Sequence, residues 1–186
     1  MPYVFDPDRL KQIAASAGGK PFDEMCRHVM AQCERAYPGY VTTEPDWLFN
    51  LACGATGVMT LLHGSLTEYL IIFGSAVGTD AFSGRYHLDI WDFVITGEMW
   101  TYKENAVGTR VITKPGEGAL LEKGMAKGYR ILENTWMLEY GRGPVPTALP
   151  VGVAHSLVSG VDVKTVLRTF KSYGRATVRS LLKGKI

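Results

Sequence analysis

From about Ser65 onward, apolar and polar positions alternate with a period of two, through LTEYLIIFG (66–74), RYHLDIWDFVITGEMWTY (85–102), TRVITKPGEGALLEKG (109–124) and YRILENTWMLEYG (129–141). Breaks at Gly74–Gly78, Asn105–Gly108, Pro115–Gly118 and Gly124–Gly128 read as turns. Short strands at this spacing predict a small antiparallel barrel or sandwich, which the period alone does not separate. Upstream the period is helical. In residues 22–37, Met25, Cys26, Val29, Met30, Cys33 and Ala36 recur at steps of three and four, which predicts an amphipathic helix capped by Asp23 and ended before Pro38. Trp47 to Thr67 carries no formal charge and is long enough to span a bilayer, but Asn50, Thr56, Thr60, His63 and its glycines dilute it. A core helix is the expectation there, not a membrane span.

After Gly143 the pattern changes again. Prolines at 144, 146 and 150 lead into an apolar run at 147–158, then a Ser159–Gly160 break and a last helix from Asp162 to about Lys183. On a helical wheel Lys164, Arg168, Lys171, Arg175 and Arg179 fall within about 80° of one another, and Val163, Val166, Leu167, Phe170, Val178 and Leu181 gather on the opposite side. This is the pattern of a helix lying in a membrane interface; a solvated basic face over a packed core is the alternative. The expected class is α+β in a single domain, 1–186: a helical lead (1–64), a barrel or sandwich of strands (65–143) and a C-terminal helix pair (144–186). A chain of 186 residues, 46% apolar, suits one such core.

Charge sharpens the picture of the tail. Residues 161–186 hold seven basic side chains against the single acid Asp162, a net +6, which leaves −4 for the rest of a chain whose total is +2. So small a total does not predict nucleic-acid binding. Cys26 and Cys33 stand two helical turns apart, roughly 10 Å and too far for a bridge, so free thiols are expected. The histidines His28, His63, His87 and His155 are scattered without ligand spacing, and SAGGKP (16–21) lacks the length and the Ser/Thr of a phosphate loop, so neither a metal nor a nucleotide site is expected.

Two carboxylates break the apolar alternation. Glu139 shares a strand face with Thr135, Met137 and Gly141, while Asp92 shares one with Tyr86, Leu88, Ile90 and Val94. Tyr69, Ile71 and Phe73 align in the same way. If these faces line a barrel interior, two carboxyls meet in an apolar pocket, where one keeps its proton at neutral pH: one acid and one base in one place. The alternative is that both acids are salt-bridged to Arg85, Arg142 or other cations at the barrel rim.

The chain resembles the family of the fungal C-8 sterol isomerases and the sigma-1 receptor from Tyr3 onward. The blocks that carry the resemblance are YVFDP (3–7), LTEYLIIFGSAVGT (66–79), SGRY (83–86), TGEMW (96–100) and NTWMLEYGRG (134–143) with Pro146. AVGT, GEMW and LEKGMAKGYRI are similar to the isomerases, SGRYHLDIWD and NTWMLEYGRG to the receptor; Met125 stands where the isomerases carry a histidine. The resemblance implies a cupin-like barrel whose opening is covered by two membrane-resting helices, with Glu139 and Asp92 as the essential acids and Tyr69 beside the glutamate. Asp89 is the runner-up to Asp92. The implied lining is Tyr69, Ile71, Phe73, Tyr86 and Ile90, with Met59, Leu149 and Tyr173.

The implied reaction moves a sterol double bond from C8 to C7 by carboxyl chemistry through a carbocation, with no cofactor and no metal. The same pocket would hold hydrophobic amines, because an ammonium mimics the cation. A receptor-like module binding amines or lipids without turnover is the second class. The resemblance also implies membrane association, at the endoplasmic reticulum in a eukaryote, a homotrimer, and an N-terminal transmembrane anchor that is absent from this chain.

Overall fold

The computed structural model describes residues 3–185. Two helices lead. α1 (Pro7–Ser16) starts on Asp6, whose side chain accepts from Arg9 N at 2.9 Å, and Pro7 supplies a helical φ where no N–H is needed. α2 (Phe22–Ala36) buries Met25, Cys26, Val29, Met30 and Cys33, the face its period predicts; its N-cap is Pro21, and Asp23 stands in the first turn, not at the cap. Burial pushes the Cys26 thiol up to about 11 and the Cys33 thiol up to about 12, so both are inert packing groups.

The strands form two antiparallel sheets. The six-stranded sheet runs β1 (Leu48–Ala52), β2 (Ala55–Gly64), β3 (Glu68–Ser75), β10 (Thr135–Arg142), β5 (Asp89–Thr96), β8 (Gly118–Leu121). The four-stranded sheet runs β4 (Thr79–Phe82), β9 (Lys127–Ile131), β6 (Met99–Lys103), β7 (Val111–Thr113). The result is two facing antiparallel sheets, not one continuous ladder.

The expected helix over 47–67 is a β-hairpin. Ala52 pairs with Ala55 around Cys53 and Gly54, both at positive φ, as a two-residue turn of the primed type requires. Both faces of β2 are covered, with Thr60, Leu62 and His63 almost fully buried, so the period of two is masked by apolar residues on either side. The barrel therefore begins at Leu48, and the helical lead ends at Ala36.

The large sheet is covered on both faces. Even-numbered β3 and β10 positions (Leu70, Ile72, Leu138, Tyr140), with Phe93 and Ile95 of β5, pack against α1 and α2. Odd-numbered ones (Ile71, Phe73, Met137), with Val94, meet Met99 and Ile131 of the small sheet. Glu68, at the head of β3, belongs to the helix side. Its carboxylate accepts from Val4 N at 2.8 Å and the Tyr140 hydroxyl at 2.8 Å and pairs with Lys185 at 2.8 Å, so that both chain ends are tied to one buried acid.

A 3-10 turn (Val145–Thr147), α3 (Leu149–Val158) and α4 (Val163–Leu182) close one end of the barrel. α4 packs on the strands through Thr165, Val166, Thr169, Tyr173, Ala176 and Ser180, with Ser180 Oγ donating to Gly64 O at 3.0 Å and the Tyr173 hydroxyl to Ser65 O at 2.6 Å. Most of its apolar arc points away from the protein: Leu167 is 64% exposed, Val178 57% and Leu182 84%. Arg168 instead folds back to Asp46 and the carbonyl of Trp47, and Arg179 to Thr42. The apolar arc is thus mostly exposed, while the packed face combines small and polar side chains with Val166 and Tyr173. No helix among the described residues is long and apolar enough to cross a membrane.

Candidate functional site

Between the sheets, under α3 and α4, lies a cavity of about 230 Å³. Its walls come from alternate positions of neighbouring strands, so the two-residue period that makes the sheet also decides which side chains enter. Ten of the eleven residues singled out from sequence line it: Glu139, Asp92, Tyr69, Ile71, Phe73, Tyr86, Ile90, Met59, Leu149 and Tyr173. Asp89 does not. It lies an odd number of residues from Asp92, on the other face of β5, where its Oδ1 accepts from Lys123 N at 2.8 Å.

Glu139 and Asp92 are direct cross-strand partners in the β10–β5 ladder. Side chains so opposed on one face have Cβ atoms roughly 4.5–5.5 Å apart. The Tyr69 hydroxyl, from β3 on the other side of β10, donates to Glu139 Oε1 at 2.6 Å. Gly141 permits this, since a Cβ there would stand 2.1 Å from Tyr69 Cε1. Burial first, and then the charge of Asp92, push Glu139 up to about 7, against the opposing effects of the Tyr69 hydrogen bond and Lys127. The residual exposure of Glu139 faces the cavity, so its surroundings remain apolar. Burial also raises the phenols of Tyr69, Tyr86 and Tyr129, which stay neutral donors.

Lys127 completes the dyad and was not among the expected residues. It enters from β9, in the small sheet, and its Nζ lies 2.5 Å from Asp92 Oδ2 with both side chains buried. The alternation Lys127, Tyr129, Ile131 on the inward face of β9 was the available signal. Of the cations the alternative offered, Arg85 pairs with Glu104 and Arg142 donates to Phe5 O at 3.1 Å on the opposite face of the sheet, whereas another cation, Lys127, does pair with Asp92.

The two acids are therefore unequal. One is held by an ammonium, the other sits in apolar surroundings with a phenol at one oxygen. That difference supplies a base and an acid within a single apolar chamber. No three His, Cys, Asp or Glu side chains gather among the described residues.

The family described as "ERG2 and Sigma1 receptor like protein" matches residues 1–185. A C-8 sterol isomerase of Neurospora crassa is 37% identical over 98% of this chain and 73% of its own length. A C-8 sterol isomerase ERG2 of Gibberella zeae is 34% identical over 99% and 79%. The sigma non-opioid intracellular receptor 1 of Xenopus tropicalis is 34% identical over 94% and 79%. Among solved structures, KdgF from Halomonas sp. superposes with a TM-score of 0.46 at 14% identity, covering 56% of this chain and 93% of that one. The chain belongs to the family of ERG2 and Sigma1 receptor-like proteins.

Proposed function

We propose that this protein is a sterol isomerase that moves a ring double bond from C8 to C7, with Glu139 as proton donor and Asp92 as proton acceptor. The observation that carries the reading is the unequal pair itself: two carboxyls opposed across one ladder in an apolar cavity, with Lys127 on Asp92 and Tyr69 on Glu139. The isomerases among the relatives favour this reaction over binding alone.

Tyr69 engages Oε1 of Glu139, which leaves Oε2 to carry the proton. Transfer of that proton to C9 uses the π electrons of the C8–C9 bond and leaves a tertiary cation at C8. The new Glu139 carboxylate lies beside this cation, and the ring faces of Tyr69 and Tyr86 add cation–π attraction. Asp92 then takes a proton from C7, whose C–H electrons form the C7–C8 bond. Asp92 holds the proton that Glu139 has lost, and return across the ladder restores the pair with no net proton consumed. The apolar wall of Ile71, Phe73, Met137 and Ile90 holds the rings and excludes water that would trap the cation.

The substrate class also accounts for the outer surface. A sterol partitions into bilayers, and the outward apolar arc of α4, with the exposed Leu157, Val158 and Val161 beside α3, would rest in a membrane interface. In a eukaryotic cell the endoplasmic reticulum is the corresponding location.

The test is turnover of a C8-unsaturated sterol by purified protein in detergent, with the double bond followed by NMR. Conversion that falls about 100-fold or more in both Glu139→Gln and Asp92→Asn is the expected result. Unchanged turnover in Glu139→Gln would refute the assignment of the acids. No conversion alongside tight binding of a hydrophobic amine would instead make the protein a binding module.

A further inference from the structure

In the proton-transfer scheme Lys127 only holds Asp92 as a carboxylate, yet its ammonium is buried in the cavity wall 2.5 Å from Asp92 Oδ2. Burying an ammonium costs several kcal/mol of desolvation even when it is paired, so its presence alters what the pocket can hold. The charge count shows how. An ammonium, a carboxylate and a protonated carboxyl sum to zero, whereas two carboxyls sharing one proton without the lysine would leave the wall at about −1.

We infer that Lys127 is a specificity-determining residue of the cavity: paired with Asp92, it makes the wall neutral while Glu139 keeps its proton, so an uncharged ligand enters as it is and a hydrophobic ammonium enters only by displacing that proton. The inference rests on the reading of this cavity as the ligand site. The exchange balances: one ammonium binds, one proton leaves Glu139 for solvent, and the wall and ligand together remain neutral. Retaining both charges would leave a cation uncompensated in an apolar chamber, which is the costlier outcome.

Among the described residues, no other group facing the dyad takes over this role. β3 contributes Tyr69, β9 contributes Lys127 and Tyr129, and the 83–88 segment contributes Tyr86, whose hydroxyl lies 4.0 Å from Cys53 Sγ. The three phenols are raised by burial and stay neutral. From the covering helices, α3 presents Leu149, Gly152, Val153 and Ser156, while α4 presents Tyr173, raised by burial, as its titratable group.

Calorimetric titration of the detergent-solubilised protein with a steroidal tertiary amine and with a C8-unsaturated sterol, in buffers of different ionisation enthalpy, counts the protons exchanged. The wild-type protein should release about one proton per amine near pH 6, and amine affinity should rise about tenfold per pH unit below the titration of Glu139; the sterol should release none. Lys127→Met should bind the amine without proton release and about tenfold more tightly at pH 6. The double variant Lys127→Met with Asp92→Asn carries no unpaired buried ion and should regain the proton release, which separates the charge effect from a folding defect. If Lys127→Met binds both probes with the wild-type proton count and pH slope, the inference is overturned. Failure of the wild type to bind either probe would overturn the ligand-site reading and the inference with it. Wild-type binding of both without proton exchange would overturn the inference alone.

Discussion

Tyr69 lies across Gly141, its directly opposed partner on β10, and from that seat its hydroxyl reaches Glu139 Oε1 at 2.6 Å. A Cβ on residue 141 would occupy the space of the Tyr69 ring, standing 2.1 Å from Cε1. Gly141→Ala should therefore push the ring away, with overpacking that costs about 1–3 kcal/mol in thermal unfolding. Tyr69→Phe should remove the hydroxyl alone and leave the ring seated. Because that hydrogen bond favours the carboxylate, both variants should raise the proton affinity of Glu139 and shift the pH–rate profile upward. A profile unmoved in Tyr69→Phe would mean that the phenol does not act on Glu139.

The reaction should fade as pH rises through about 7, because the proton donor is the neutral form of Glu139. Stability should fall just below that window, between about 4.5 and 7, by linkage. Folding raises this group, so its protonated form contributes fully below the ordinary glutamate value, and that contribution is lost as pH rises toward the folded value. The loss is on the order of 3 kcal/mol for a shift from 4.5 to about 7. Thermal unfolding of Glu139→Gln between pH 5 and 8 should show a flatter dependence; a slope equal to that of the wild type would count against the assignment.

Glu68 should behave in the opposite way. Burial pushes it up, but Lys185, Val4 N–H and the Tyr140 hydroxyl outweigh burial and hold it below its ordinary value. Its contribution is present above the ordinary glutamate value and lost as pH falls through the lower folded one. Glu68→Gln should cost roughly 3–5 kcal/mol, because it breaks the buried pair with Lys185. Denaturant unfolding at pH 7 and pH 4 checks this: the gap between wild type and variant should narrow in acid.

The outward apolar arc of α4 should govern liposome association and leave the fold alone. Leu167→Glu with Val178→Glu changes two exposed positions, so the unfolding temperature should move little while flotation with vesicles drops severalfold. Undiminished flotation would place the membrane contact elsewhere.

Strand parity was enough to choose Asp92 over Asp89 and to send Tyr69, Ile71, Phe73 and Glu139 to one cavity, because successive side chains on a strand must point to opposite faces. Parity failed where both faces are buried. In β2 the apolar run carries no alternation, and the hairpin signal reduces to Cys53–Gly54, whose positive φ angles are a property of the folded turn. The wheel of α4 was likewise legible as two arcs, but which arc meets the protein depends on whether Gly64 lets a helix approach. A Cβ there would meet Tyr173 Cδ2 at 3.0 Å, so the glycine admits the close packing that turns Leu167 and Val178 outward.

The sequence by itself thus determined α2, the C-terminal helices and the faces of the later strands from local periodicity, while the pair of acids needed the family resemblance to single it out. Only the tertiary structure decided that Lys127 of the small sheet meets Asp92 of the large one, 35 residues away in the chain. Alternation fixes the side of a sheet on which a residue lies, but the closing of one sheet over another selects its charged neighbour. That closure makes two similar carboxyls unequal, one paired with an ammonium and the other beside a phenol.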